Sequence, residues 1–169
     1  LKGTPFIFQG DEMGLTNYQF TSMDQVTDVE AKGYYAEYIK KMSEKEAFAK
    51  ILAGTREHTR VLLPWNEKLP SYHEGLVQEI RTEITEVYKA LIKLRRENEA
   101  LIYGDFKVVN QDKNRFVYQR VLGETEFMVD CNLGKQQRKE YRISGKCVFT
   151  TGNEKGPLSP YEARIFVKN

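Results

Sequence analysis

Asp11 and Glu12 are the only adjacent pair of carboxylates in the chain, and they sit where chemistry is often done. The glycine-punctuated run Gln9-Gly10-Asp11-Glu12-Met13-Gly14 follows directly on the apolar run Thr4-Pro5-Phe6-Ile7-Phe8. A short apolar run without alternation predicts a strand covered on both faces, as in a parallel sheet or barrel. The glycines let the chain turn sharply beyond its end, and in α/β folds ligands gather at the carboxyl ends of such strands. Adjacent side chains diverge in direction, so Asp11 and Glu12 are expected to shape the loop and its rim rather than to share a reaction.

The other reactive residue types give less. His58 and His73 have no Cys, Asp or Ser partner at a diagnostic spacing and read as solvated loop residues. Cys131 and Cys147 lie sixteen positions apart, both inside apolar strand-like runs. They read as two buried thiols in a reduced compartment, since a disulfide needs Cα atoms within about 7 Å. Two cysteines and two histidines without tight spacing make no zinc site, so neither metal nor cofactor is expected. Gly10 to Gly14 has GxxxG-like spacing, but its polar context gives that no meaning as a membrane motif, and there is no glycine-rich phosphate cradle.

Composition sets the frame for these residues. The 169 residues are 40% hydrophobic and 30% charged, an ordinary globular balance that excludes disordered and collagen-like classes. The 26 basic and 24 acidic residues are interspersed, leaving +2, too weak a field for a nucleic-acid partner. No apolar run approaches the roughly 20 residues that cross a bilayer, so no membrane partner is expected and a cytoplasmic location is. A start at Leu1 rather than Met leaves room for a removed segment.

The elements that must position the candidates read in order. Ser22, Asp24 and Asp28 are possible caps in the polar segment after Asn17. Glu30 to Leu52 reads as helix in two pieces around Ser43, marked by Tyr34, Tyr35, Tyr38, Ile39 and Met42 and then by Phe48, Ile51 and Leu52, with Gly54 as its stop. Thr55 to Ser71 has no periodicity and reads as a long loop holding the only tryptophan, Trp65, which suits a core anchor better than a ligand platform. Capping-box spacing at Ser71 to Glu74 predicts the strongest helix, with Leu76, Ile80, Ile84, Val87, Leu91 and Leu94 as its stripe and a basic end at Lys93, Arg95 and Arg96. Beyond Asn98 come short β-rich runs at 106–109, 115–121, 126–132, 140–143, 146–150 and 163–167, with glycine-rich turns between them, which predict an antiparallel β-sandwich. Tyr103, Tyr118, Tyr141 and Tyr161 alternate with apolar residues there and read as edge-of-core tyrosines.

Several words together carry a resemblance. GTPFIFQGDEMGLTN resembles the last barrel strand of oligo-1,6-glucosidases and related α-glucosidases of the α-amylase superfamily. Asp28-Val29-Glu30 is similar to that family's Asp-Ile-Glu triplet. Thr55-Arg56-Glu57-His58-Thr59-Arg60 with Trp65-Asn66 resembles an eroded Gly-Arg-Asp-Asn-Ala-Arg-Thr-Pro-Met-Gln-Trp-Asp word. Tyr88 to Arg96, LIYGDF at Leu101 to Phe106, and LSPYEARIF at Leu158 to Phe166 resemble the helix into, and the closing strand of, its C-terminal sandwich. In the eroded word Glu57, His58, Val61, Leu62 and Pro64 replace residues the family keeps, and the segment after Asn66 is short.

The resemblance implies an α+β chain. Residues 1–98 would be the terminal strand, loop and helices of a truncated (β/α)8 barrel, and residues 99–169 a C-terminal antiparallel β-sandwich. It implies a retaining enzyme that hydrolyses α-glucosidic bonds of short oligosaccharides with two carboxyl groups about 5 to 5.5 Å apart. The family's nucleophile Asp, acid Glu and stabilising Asp belong to strands four, five and seven. None has a position here, so no catalytic residue is expected and the chain alone is expected to be inactive. By their places in the matched words, Arg56 and Glu30 would contact the sugar or its aglycone side; the planar fork of arginine suits paired oxygens. The alternative is a non-catalytic structural, interaction or sugar-binding module derived from such an enzyme. The apolar stretch Phe6-Ile7-Phe8 would pack irregularly on the Leu76 to Leu94 helix or pair two copies as a homodimer.

Overall fold

The computed structural model describes residues 1–61, 63 and 80–168. Trp65, Asn66, His73, the Ser71 to Glu74 spacing and Leu76 lie outside them. The chain is α+β and divides into two compact units, Ile7–Thr85, and Leu1–Phe6 with Glu86–Asn169. The division falls inside a helix, before the change of sequence period at Asn98 to Gly104.

The first unit opens on a 3-10 turn, Asp11–Met13, flanked by Gly10 (φ 104°) and Gly14 (φ 69°). Glu12 turns its carboxylate back to accept from Gly10 N at 2.9 Å, so the acidic pair is loop architecture. Thr4 to Phe8 is not a strand, and Phe6 is 94% exposed. Among the described residues this run joins no β-ladder, and Phe8 O accepts instead from Asp11 N of the following turn at 3.0 Å. Helix α1 (Val29–Tyr38) and helix α2 (Glu44–Leu52) are the two expected pieces, broken at Ser43. The break has a local cause. Ser43 Oγ accepts from Glu46 N while Glu46 accepts from Ser43 N at 3.1 Å, a capping box that starts α2 afresh. Phe20, Val26, Ala31 and Ile51 form the core, with Tyr35 and Tyr38 packed against it.

Helix α3 (Thr82–Arg96) begins later than the sequence pattern suggests, because Ile80 and Arg81 lie outside it. Arg81 N donates to Met13 O at 2.9 Å and Thr85 Oγ1 to Glu12 O at 2.8 Å, which ties the helix start to the acidic turn. Gly14 is enclosed there: a Cβ on it would stand 2.5 Å from Ile84 Cδ1 and 3.0 Å from Arg81 Cδ. With its left-handed backbone as well, Gly14→Ala is expected to cost this unit about 2 kcal/mol. Urea denaturation read through the amides of residues 7–61 measures it.

In the second unit α3 leads into a short helix α4 (Glu99–Ile102) and then strands β1 (Asp105–Asp112), β2 (Arg115–Leu122), β3 (Thr125–Asn132), β4 (Lys146–Thr150) and β5 (Ala163–Lys168). They form one antiparallel sheet in the order β1-β2-β3-β5-β4. One face is apolar: Phe127, Val129 and Ile165 meet Ala100 and Leu101 of α4 and Leu94 of α3. Cys131 on β3 and Cys147 on β4 are free thiols with β5 between their strands. Burial pushes Cys131 up to about 11.

The sandwich expectation is corrected here: the described residues hold a single open sheet, and 140–143 is not a strand. The reason lies on the second face, which is buried but ionic. Arg115 grips Asp130 at 2.9 and 2.5 Å, and Arg164 holds Glu162 at 2.7 Å. Asn132 Nδ2 donates to Gln136 O and Ser159 O, both at 2.8 Å. Arg115 also donates to Lys139 O, Arg164 to Gly156 O, and Asp130 accepts from Tyr141 N. A face that needs backbone partners is met by irregular chain whose peptide groups are free to serve it. Only the isolated bridge Arg138↔Leu158 interrupts that irregular cover.

Candidate functional site

The start of α1 and the 3-10 turn Arg56–Thr59 after α2 come together in the first unit. Glu57, 5% exposed, accepts from Thr27 N at 2.9 Å, from Thr27 Oγ1 at 2.7 Å and from Asp28 N at 3.0 Å. One carboxylate therefore satisfies the backbone just ahead of α1, a position where negative charge also complements the helix dipole. Burial by itself would raise the Glu57 carboxyl, but these hydrogen bonds bring it below the ordinary carboxylate value.

Asp28 occupies the N-cap position of α1 yet makes no side-chain cap. Its carboxylate is taken by Arg56, through Nε at 2.9 Å and Nη2 at 3.3 Å, with Arg60 Nη1 at 3.5 Å. The Arg56 hydrogen bond holds Asp28 below its usual value, and Asp28 in turn raises Arg56. Arg56 Nη2 also donates to Glu30 at 2.8 Å. The two residues expected to touch sugar are thus brought into direct contact, each more than half exposed. They offer a donor and an acceptor side by side, the arrangement that holds neighbouring hydroxyls.

This pair forms one rim of a cleft of about 270 Å³ between α1 and α2, lined also by Tyr34, Tyr38 and Lys50. A smaller cleft of about 140 Å³ lies between the turn at Gly10 to Asn17 and residues His58, Thr59, Val61 and Leu63. His58 corrects an expectation: it is half-buried, with its ring 5.4 Å from that of Phe20 and Nε2 2.8 Å from Leu52 O. The carbonyl left open where α2 ends gives the ring a partner that spacing could not reveal. Asp28 and Glu57 are the residues that sequence reasoning undervalued, one as a mere cap and the other as an erosion. The alternation of sign in Arg56-Glu57 with Arg60 was the available signal.

Residues 1–104 match the family described as alpha amylase, catalytic domain. The chain belongs to the alpha-amylase family. Glucan 1,6-alpha-glucosidase of Streptococcus pneumoniae is 29% identical over 96% of this chain, which spans 35% of that protein. Oligo-1,6-glucosidase of Halalkalibacterium halodurans is 30% identical over 99% of the chain, which spans 36% of that protein. Among solved structures, isomaltulose synthase from a Klebsiella species superimposes with a TM-score of 0.79 at 25% identity, over 99% of this chain and 36% of that one. Trehalulose synthase from Pseudomonas mesoacidophila gives a TM-score of 0.76 at 24% identity, with the same coverage, and that likeness speaks for the fold alone. This alpha-amylase-family chain is therefore about a third of the length of its relatives. Among the described residues no helix is long and apolar enough to cross a membrane.

Proposed function

We propose that the chain is the C-terminal part of a retaining α-glucosidase that hydrolyses α-glucosidic bonds of short oligosaccharides in the cytoplasm. The observation that carries this is the 29% identity, over nearly the whole chain, with a protein called glucan 1,6-alpha-glucosidase. The catalytic carboxylates would come from barrel strands outside these residues, while Arg56 and Glu30 hold sugar hydroxyls at the rim. Asp28 and Glu57 keep that pair in place. The chain alone is expected to show no turnover of an aryl α-glucoside; turnover that co-purifies with the chain through successive columns overturns this. A second reading, a non-catalytic module that meets a partner or another copy of itself, is favoured by the exposure of Phe6, Ile7 and Phe8.

A further inference from the structure

We propose that the cleft between α1 and α2 is a separate holding site for a neutral sugar ring, built on Tyr34, Tyr38 and Lys50 and sharing only its rim with Arg56 and Glu30. Tyr34 and Tyr38 stand one helical turn apart on α1, so their side chains rise from the same face. Their rings lie 16° from parallel with centroids 6.2 Å apart. Lys50, from α2, places Nζ 4.4 Å over the Tyr38 ring. Tyr38 is packed on the core, whereas Tyr34 is 53% exposed and presents its ring outward. An exposed aromatic ring backed by a second one is a surface for something with a flat apolar face.

The charges around the rings say what that is. Asp28, Glu30 and Arg56 are hydrogen-bonded together at one rim and Lys50 also lines the cleft, so the formal charges of the lining cancel. An anion or a cation would gain from one sign of these charges and lose from the other. A neutral polyol gains from both: its hydroxyls donate to Glu30 and accept from Arg56 and Lys50, while the C–H face of a pyranose lies on tyrosine. Arg56 is already held by Asp28 through two hydrogen bonds, so its remaining donor atoms are presented without loss of side-chain freedom on binding. The choice of an α-linked glucose unit as the ligand rests on the α-glucosidase reading; the neutral-sugar chemistry of the cleft does not.

The test is a titration of the full chain with isomaltose, followed by backbone amide shifts in two-dimensional NMR, with cellobiose and glucose 6-phosphate as comparators. Saturable shifts centred on Tyr34, Tyr38 and Lys50 with isomaltose are expected, weakened roughly tenfold in Tyr34→Ala, the loss of one stacked ring. Tyr34 contributes nothing to the buried core, so this variant keeps its fold, and Lys50→Met gives a second, independent weakening. No saturable shift at these residues with any sugar overturns the site. Binding of glucose 6-phosphate alone overturns the neutral-ligand assignment. Binding of cellobiose without isomaltose keeps the sugar site and overturns the α-glucoside reading on which the ligand was chosen.

Discussion

Replacing Arg120 by methionine is expected to remove about 4 kcal/mol from the sheet unit. Arg120 is 1% exposed on β2. Its guanidinium has carbonyls, not a carboxylate, for partners: Leu1 O at 2.6 Å, Leu101 O at 3.0 Å, Ile102 O at 3.3 Å and Gly104 O at 2.7 Å. Several of these belong to the end of α4, whose last C=O groups have no partner inside the helix. Methionine keeps the length and the apolar stem but withdraws all of Arg120's donors, and of the four carbonyls Leu101 O still has Arg95 Nη1. Each buried acceptor left unpaired costs about 1–3 kcal/mol. Lysine, a point charge without the fork, should recover about half. Urea denaturation with amide exchange in β2 and β3 reads the loss. A methionine variant within about 1.5 kcal/mol of wild type, the scale of a volume-conserving swap, would show that the carbonyls find other donors.

Glu57→Gln is expected to cost the first unit about 3 kcal/mol and, more diagnostically, to flatten its acid response. Both carboxylate oxygens accept, and all their partners are donors. Glutamine offers one oxygen and turns an NH₂ toward an N–H, so the substitution leaves at least one buried donor unmet. The sign of the pH dependence follows from the direction of the shifts. Glu57 and Asp28 are both depressed in the folded chain. Their contribution is fully present above the ordinary carboxylate pKa and is lost as the pH falls through the lower folded values. Wild-type stability of residues 7–61 should therefore drop below about pH 4, and Glu57→Gln should drop less over that window. An unchanged slope in the variant would remove Glu57 from the clamp.

The parts of this fold that were legible in the sequence are those fixed by local chemistry. The Ser43-x-x-Glu46 box broke one apolar pattern into α1 and α2 where expected, and the β runs at 106–109, 115–121, 126–132, 146–150 and 163–167 all fall within strands. What misled was composition without its partner. Thr4 to Phe8 has a strand's composition, but a strand exists only by pairing. The run at 140–143 has alternation but serves ionic groups on a sheet face. For the site, spacing could nominate Arg56 and Glu30 only through resemblance. Their contact depends on Asp28 and Glu57, which act across 28 and 29–30 residues of chain and leave no short-range pattern.

The strand order carries a consequence for synthesis. β4 pairs only with β5, and β5 lies between β3 and β4 although it is made after both. As the chain leaves the ribosome, β1, β2 and β3 can zip as a local meander, whereas β4 must wait unpaired until residues 163–168 emerge and slide in beside β3. The long-range step comes last. A nascent chain stalled before Ala163 would therefore leave open at once the edges of β3 and β4 that β5 joins in the finished sheet.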